Sequence, residues 1–559
     1  MERLILDHVY DHEARLADRV YLTQPLGGGA VKDYTWGQVA GEARRMAAHL
    51  QGLGLPRGAR VAILSKNCAH FIMAELAIWI GGYTTVAIFP TETADTIRYV
   101  LEHSEASALF VGKLDTWPAQ RHGVPAGLPC IAFPLAPPEA RSAFEGWDDI
   151  VARTAPLQGQ PARSADELAM LIYTSGSTGT PKGVMNPFGA FSRAASIIAD
   201  DVRERVGDNG EHRMISYLPL AHSFERSWVE GASLVDGRAH LFFADTLASF
   251  VEDVKRARPT LFLSVPRLWL KFQQGVFAKM PPAKLDRLLG IPILGRFVAR
   301  KVLKGLGLDA VVQAGSGSAP LPPDLIRWYR KIGLRLFEGY GMSEDNSYSH
   351  SSNEEHAEAG WVGVPMPGVQ CRLGADGEVL IKSPGQFSGY YKDPALTAAS
   401  FTDDGFFRTG DLGEQRPDGL LRITGRVKEL FKTAKGKYVA PAPIENLLNA
   451  HPMVELSMVS GVGQPSAYAV VVLAEELRPR LSDPALKQQV QGEMQALLAR
   501  VNASLSDHEQ LHTLVIAREP WSIDNGMLTP TMKLKRSRIE TALEPQLPAW
   551  YRGKGVQWA

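Results

Sequence analysis

Along this chain the apolar positions alternate between two periods. In TWGQVAGEARRMAAHLQGLG (35–54) they recur every three or four residues, which predicts a helix; in RVAILSKN (60–67) they run together, which predicts a buried strand. A helix over Ala69 to Ile80, a strand in TTVAIF and another in ALFVG continue the pattern. Repeated helix–strand alternation predicts an α/β fold with a mainly parallel sheet. From Phe133 to Arg163 the text turns rich in Pro and Ala and reads as a surface connection. HLFFAD, TLFLSVP, one long basic helical stretch to about Leu308 and AVVQAGSGSAPL then restore the alternation. After Gly360, short runs separated by Gly, Pro and Asp predict a small antiparallel β region. A shorter unit follows: LSMVSGVG, YAVVVLAEE, a helix from about Ser482 to Leu505, and LHTLVIAREPWS. The expected division is a large domain over 1–426 and a small α+β domain over 427–559.

Composition narrows the class. A chain of 559 residues, 45% hydrophobic and 21% charged, exceeds one core and is ordinary globular protein. With 60 basic and 60 acidic residues it projects no net field, so nucleic acid is not an expected partner. Cys68, Cys130 and Cys371 are too scattered for a disulfide framework or metal spacing and point to a reducing, cytoplasmic setting. MERLILDHVYDHE lacks the apolar core of a secretory signal, and Leu76 to Phe89, broken by Gly81-Gly82, is too short to span a bilayer.

The densest chemistry lies in LIYTSGSTGTPKGVM (171–185). Leu171, Ile172 and Tyr173 end a buried strand, and Thr174 to Gly183 reads as a loop outside helix or sheet. Its glycines permit close backbone approach, its hydroxyls and N–H groups donate to an anion, and Lys182 adds a charge. This describes a phosphate cradle, although Gly176, Gly179 and Lys182 lack the Gly-x-x-x-x-Gly-Lys-Ser/Thr spacing of a P-loop. GYGMSED (339–345) offers Tyr340 to stack on a purine and Glu344 to bind the magnesium that travels with nucleotide phosphates. FFRTGDLG (406–413) places Asp411 in a turn between glycines, where its carboxylate can accept from two ribose hydroxyls. ITGRVKEL supplies Arg426, and TPTMKLKR supplies Lys533.

Taken together, these motifs resemble the adenylate-forming superfamily of acyl-CoA synthetases, luciferases and peptide-synthetase adenylation domains, across nearly the whole chain. LPLAHSFER (218–226) and KELFKTAKGKYVAPAPIEN (428–446) resemble the long-chain fatty acid–CoA ligases. The resemblance implies a large N-domain for ATP and acid, a small mobile C-terminal lid, and the use of ATP, Mg²⁺ and coenzyme A with a fatty acid substrate. It implies that Thr174, Ser175, Gly176, Ser177, Thr178, Gly179 and Lys182 hold the β- and γ-phosphates, and that Glu344 and Thr178 serve the metal. Ser343, or its backbone, would sit near the α-phosphate; adenine would lie between Tyr340 and the turn of Gly317, Ser318, Ala319 and Pro320, with Gly341 and Met342 also lining the nucleotide. Lys533, preferred over Lys535, would bridge the α-phosphate and the acyl carboxylate; Asp411 would bind the ribose, and Arg426 would reach a hydroxyl or phosphate of the nucleotide. Rotation about Lys428 would then replace Lys533 with the face bearing Lys435 and Gly436 for the coenzyme A step, and His222 would stand at the mouth of the acyl tunnel.

Two residues depart from the pattern: Ser343 stands where many relatives have Thr, and NPFGA follows Met185 where many have His. A fatty acyl-AMP ligase serving a carrier protein, and a nonenzymatic acyl-AMP or nucleotide sensor, are the alternative functions. A lipid substrate also raises peripheral attachment to the inner face of a membrane. Neither acyl chain length nor oligomeric state is legible in the sequence.

Overall fold

The computed structural model of the chain describes residues 3–175, 180–207, 210–529 and 532–559. Its centre is the helix Ala69–Ile80, every residue of which is buried, followed directly by the fully buried strand Thr84–Ile88. That strand lies inside an eight-stranded sheet, ordered 389–390, 181–187, 168–175, 84–88, 60–64, 106–111, 130–132, 145–146 among the described residues. The strands from 168–175 through 145–146 run parallel; 181–187 and 389–390 close the other edge antiparallel. A second sheet pairs 261–264, 313–316 and 336–340 in parallel and ends in two short antiparallel strands. The antiparallel region after Gly360 is a four-stranded sheet of 370–373, 378–382, 407–415 and 421–426.

The C-terminal domain has its own four-stranded sheet, 454–460, 467–473, 511–516 and 555–558. Strand Ala467–Leu473 is buried throughout because both faces are covered. Val471 packs with Val490 and Met494 of the helix Pro484–Ala503, while its neighbour Val470 packs with Ile539 and Trp550 on the opposite face. Side chains that alternate across a strand require two apolar layers, each buried Val or Leu contributing about 1.5–3 kcal/mol.

Four sequence expectations are corrected. Of the stretch Thr174 to Gly183, the described ends belong to paired antiparallel strands and not to a loop: strand Leu168–Ser175 extends through Thr174, strand Pro181–Pro187 begins before Lys182, and Thr174 pairs with Lys182. The Pro/Ala-rich 133–163 segment carries the helix Trp147–Arg153, anchored by fully buried Trp147 and Ile150. The basic stretch to Leu308 is three helices, Pro266–Lys279, Pro282–Leu289 and Leu294–Leu306, interrupted at Pro281 and at Ile293, whose φ is +68°. Asp411 stands in strand Phe407–Gln415 and not in a turn: an irregularity around Gly410, at φ +70°, shifts the register against 378–382, and from Asp411 onward the strand's other edge pairs with 421–426.

Candidate active site

The strand pairing places Asp411 directly across from Arg426 in the ladder. Arg426 Nε lies 2.8 Å from Asp411 Oδ1, and the Tyr340 hydroxyl donates to Oδ2 at 2.7 Å. Residues from positions 340, 411 and 426 thus meet on one carboxylate. The Asp411 charge raises the Arg426 pKa, and burial raises that of the Tyr340 phenol.

Strand Leu336–Tyr340 leads into the turn bearing Glu344. Gly341 is required there, because a Cβ would come within 2.7 Å of the Ser347 Cα. The Met342 amide donates to Asp345 Oδ1 at 2.8 Å, and the Ser343 and Ser223 hydroxyls lie 3.2 Å apart. Glu344 Oε1 accepts from the Tyr390 hydroxyl at 2.8 Å, and the carbonyl of Glu344 accepts from the Phe387 amide. Burial raises the Glu344 pKa, opposed by Tyr390 and by Arg426. Tyr390 also pairs beside Val184 of strand Pro181–Pro187, and the Lys182 ammonium stands 5.6 Å from the centre of its ring. That strand and the Glu344 turn therefore share one tyrosine. Gly176, Ser177, Thr178 and Gly179 lie outside the described residues.

The turn at Gly317 follows strand Gln313–Ser316. Gly317 is buried, whereas Ser318, at φ +69°, and Ala319 and Pro320 are exposed. Buried Glu338 holds the turn by accepting from the Leu321 and Gly360 amides, each at 3.1 Å.

From the C-terminal domain, Lys533 reaches this cluster. Its side chain is exposed, yet the surrounding protein lowers its pKa by desolvation, Arg426 adds to the lowering, and Asp411, Glu429 and Glu344 oppose it. Lys535 is instead felt by Glu92, whose burial pushes its pKa up to about 7. His222 is held near 3 by burial and by Lys533, so it is neutral at ordinary pH. Its Nδ1 accepts from the Phe224 amide at 3.2 Å, which leaves the proton on Nε2. Lys428 is exposed in the single turn Val427–Glu429, and Lys435 and Gly436 are exposed in the hairpin between Phe431–Lys432 and Tyr438–Val439. The structure thus gathers Tyr340, Ser343, Glu344, Asp411, Arg426 and Lys533, and leaves Lys435 and Gly436 outside.

Tyr390, Ser223 and Glu429 were missed by sequence reasoning. Tyr390 lies in FSGYYKD, whose spacing carries no chemical signal; only its pairing with Val184 brings it beneath Lys182 and against Glu344. Among the described residues, no group of three or more His, Cys, Asp or Glu side chains could cage a metal. A lone buried carboxylate such as Glu344 fits a cation that arrives already ligated by phosphates and water.

Known proteins resemble the chain along most of its length. The AMP-binding enzyme family matches residues 10–391, and the AMP-binding enzyme C-terminal domain matches 429–554. The chain is 32% identical to the long-chain-fatty-acid–CoA ligase FadD15 of Mycobacterium bovis, over 97% of this chain and 96% of that protein. It is 28% identical to the long-chain-fatty-acid–CoA ligase 1 of Homo sapiens, over 88% and 78% of the two chains. The adenylation domain of a carboxylic acid reductase from Segniliparus rugosus, solved with AMP and a co-purified carboxylic acid, shares the fold at a TM-score of 0.80 with 22% identity, covering 98% and 94%.

Proposed function

Because the chain belongs to the AMP-binding enzyme family, we propose that it activates a fatty acid, a long-chain one, with ATP and passes it to coenzyme A. The observation that carries this reading is the convergence of Lys533 from the small domain with Glu344, Asp411 and Arg426 of the large one. In the first half-reaction a carboxylate oxygen bonds to the α-phosphorus and the bond to the pyrophosphate oxygen breaks. Lys533 is positioned to neutralise charge shared between the carboxylate and the α-phosphate, and the stretch Thr174 to Lys182 to hold the departing phosphates. Asp411 keeps lone pairs for ribose hydroxyls beyond its bonds to Tyr340 and Arg426. Mg²⁺ carried by ATP would be held by Glu344, with Thr178 expected beside it, and would supply charge neutralisation on the phosphate oxygens.

In the second half-reaction the coenzyme A sulfur bonds to the acyl carbonyl carbon, the thiol proton is lost to solvent, and AMP leaves with the electrons of its acyl bond. Rotation at Lys428, at the proposed junction of 1–426 with 427–559, would exchange the Lys533 face for that of Lys435 and Gly436. Neutral His222, offering an Nε2 proton near Phe89, is assigned to the acyl entrance. No helix among the described residues is long and apolar enough to cross a membrane; a cytoplasmic protein attached peripherally at the inner face suits a lipid substrate.

Palmitate-dependent exchange between ATP and labelled pyrophosphate, followed by thioester formation with and without coenzyme A, tests the reading. A panel of acids from acetate to oleate fixes the chain length. Exchange without thioester would transfer the assignment to a carrier-protein ligase, and absence of exchange would reject catalysis.

A further inference from the structure

The three helices Pro266–Lys279, Pro282–Leu289 and Leu294–Leu306 carry a surface that the adenylation chemistry does not use. The last of them divides cleanly. Val298, Ala299, Val302 and Leu303 pack on the core beneath, whereas Leu294, Phe297, Arg300, Lys301 and Lys304 face outward. At its start Ile291 is 45% exposed, Ile293 85%, Leu294 41% and Phe297 66%. Large apolar side chains at such exposure are concentrated here, and a contiguous apolar patch with a polar rim marks an interaction surface. The strained Ile293, a β-branched residue at φ +68°, sits at the tip.

The charge around this patch identifies its occupant. Residues 266–307 contain nine Lys or Arg and one acid, Asp286, in a chain whose total charge is zero. Asp286 is already paired with Lys331 at 2.7 Å. Among the described residues no carboxylate pairs with Arg296, Arg300, Lys301 or Lys304. Arg296, Arg300 and Lys304 follow one another at four-residue intervals, where like charges repel along a helix. Anions outside the protein relieve that repulsion.

We infer that this face docks on an anionic phospholipid bilayer, with Ile293 and Phe297 entering the headgroup boundary and Arg296, Arg300, Lys301 and Lys304 meeting lipid phosphates. The inference deepens the fatty-acid reading by naming where a lipid-handling enzyme meets the lipid phase.

The full chain is sedimented with vesicles of phosphatidylcholine alone and of phosphatidylcholine mixed equally with phosphatidylglycerol. Binding is expected to the anionic vesicles and to fall with salt, since the screening length shrinks to about 3 Å at 1 M. The double variants Ile293→Asp/Phe297→Asp and Arg300→Glu/Lys301→Glu should each weaken partition about tenfold or more, while Lys554→Glu, on the exposed lid surface, should not. Thermal unfolding confirms that each variant is folded, and the basic pair decides alone if the apolar pair is not. Wild type that ignores anionic vesicles at low salt, or variants that bind like wild type, would overturn the inference. So would retained vesicle binding with a halved mass in sedimentation equilibrium of the Ile293/Phe297 variant, which would make the patch a contact between copies. Palmitate-dependent thioester formation without vesicles is measured in parallel: its failure in wild type sinks the functional reading and leaves the vesicle result standing by itself.

Discussion

Two lysines of the same small domain occupy opposite surroundings. Lys533 lies within the field of Asp411, Glu429 and Glu344, with a pKa lowered by desolvation and by Arg426. Lys435 is also exposed, in the hairpin between Phe431–Lys432 and Tyr438–Val439, and is not among the charges acting on Lys533. Both side chains are exposed, so what separates them is the set of charges acting on Lys533 and not burial. We propose that the Lys533 face is the one the lid presents for acyl-AMP formation.

The comparison breaks most visibly at Lys533 itself. Lys533→Ala is expected to slow acyl-AMP formation by about 10²-fold or more, since it removes a charge aimed at the transition state. Thioester formation from supplied acyl-AMP should survive, and Lys435→Ala should leave ATP–pyrophosphate exchange unchanged. Equal loss in both half-reactions of Lys533→Ala would assign the lysine a structural role.

The next test acts on exchange between the two faces. Proline at 428 fixes φ near −65° and restricts Val427, so a junction that must adopt two backbone states would retain one. Lys428→Pro should still form acyl-AMP while coenzyme A thioester release falls at least about tenfold. Wild-type thioester rates in the folded variant would place the hinge elsewhere.

How much of this was readable in advance depended on the range of the signal. The helix Ala69–Ile80 is legible because its apolar run is broken only by His70 and Glu75 and ends at Gly81, and the strands around it because they are buried on both faces. Asp411 and Arg426 were legible as chemistry, but their opposition across a ladder was not, because it depends on the register of the two strands. Trp147 was missed because a buried anchor in a Pro-rich segment has no period to announce it. Tyr390 and Ser223 act through partners 46 and 120 residues away, and a single sequence holds no record of such pairs.

A smaller effect is expected at Asp411. A carboxylate that accepts from ribose hydroxyls contributes about 1.5–3 kcal/mol through charge-assisted bonds, so Asp411→Ala should weaken ATP binding about tenfold or more. Calorimetric titration with ATP and with its 2′,3′-dideoxy analogue isolates the contact. Equal wild-type affinity for the two nucleotides would confine Asp411 to orienting Tyr340 and Arg426.

The finest distinction between the two lysines lies in their response to pH. Protonated Lys533 is the form that can neutralise phosphate charge, and its pKa lies below the ordinary lysine value of 10.5. Adenylation kcat/KM, which reports the free enzyme, should therefore lose its alkaline limb below 10.5 as the ammonium deprotonates. Lys533→Arg keeps the charge to far higher pH; although its misplaced fork lowers the rate, the limb should move upward. Stability has the opposite sign. The unfolded chain holds this proton more tightly than the folded one, so the Lys533 contribution to stability rises with pH through the window below 10.5 while activity falls. Wild type and Lys533→Met, compared by thermal unfolding across that window, should differ in slope, with wild type gaining relative stability as the lysine is neutralised. Matching alkaline limbs in wild type and Lys533→Arg would show that another group sets the profile, and the contrast between the two lid faces would then rest on position alone.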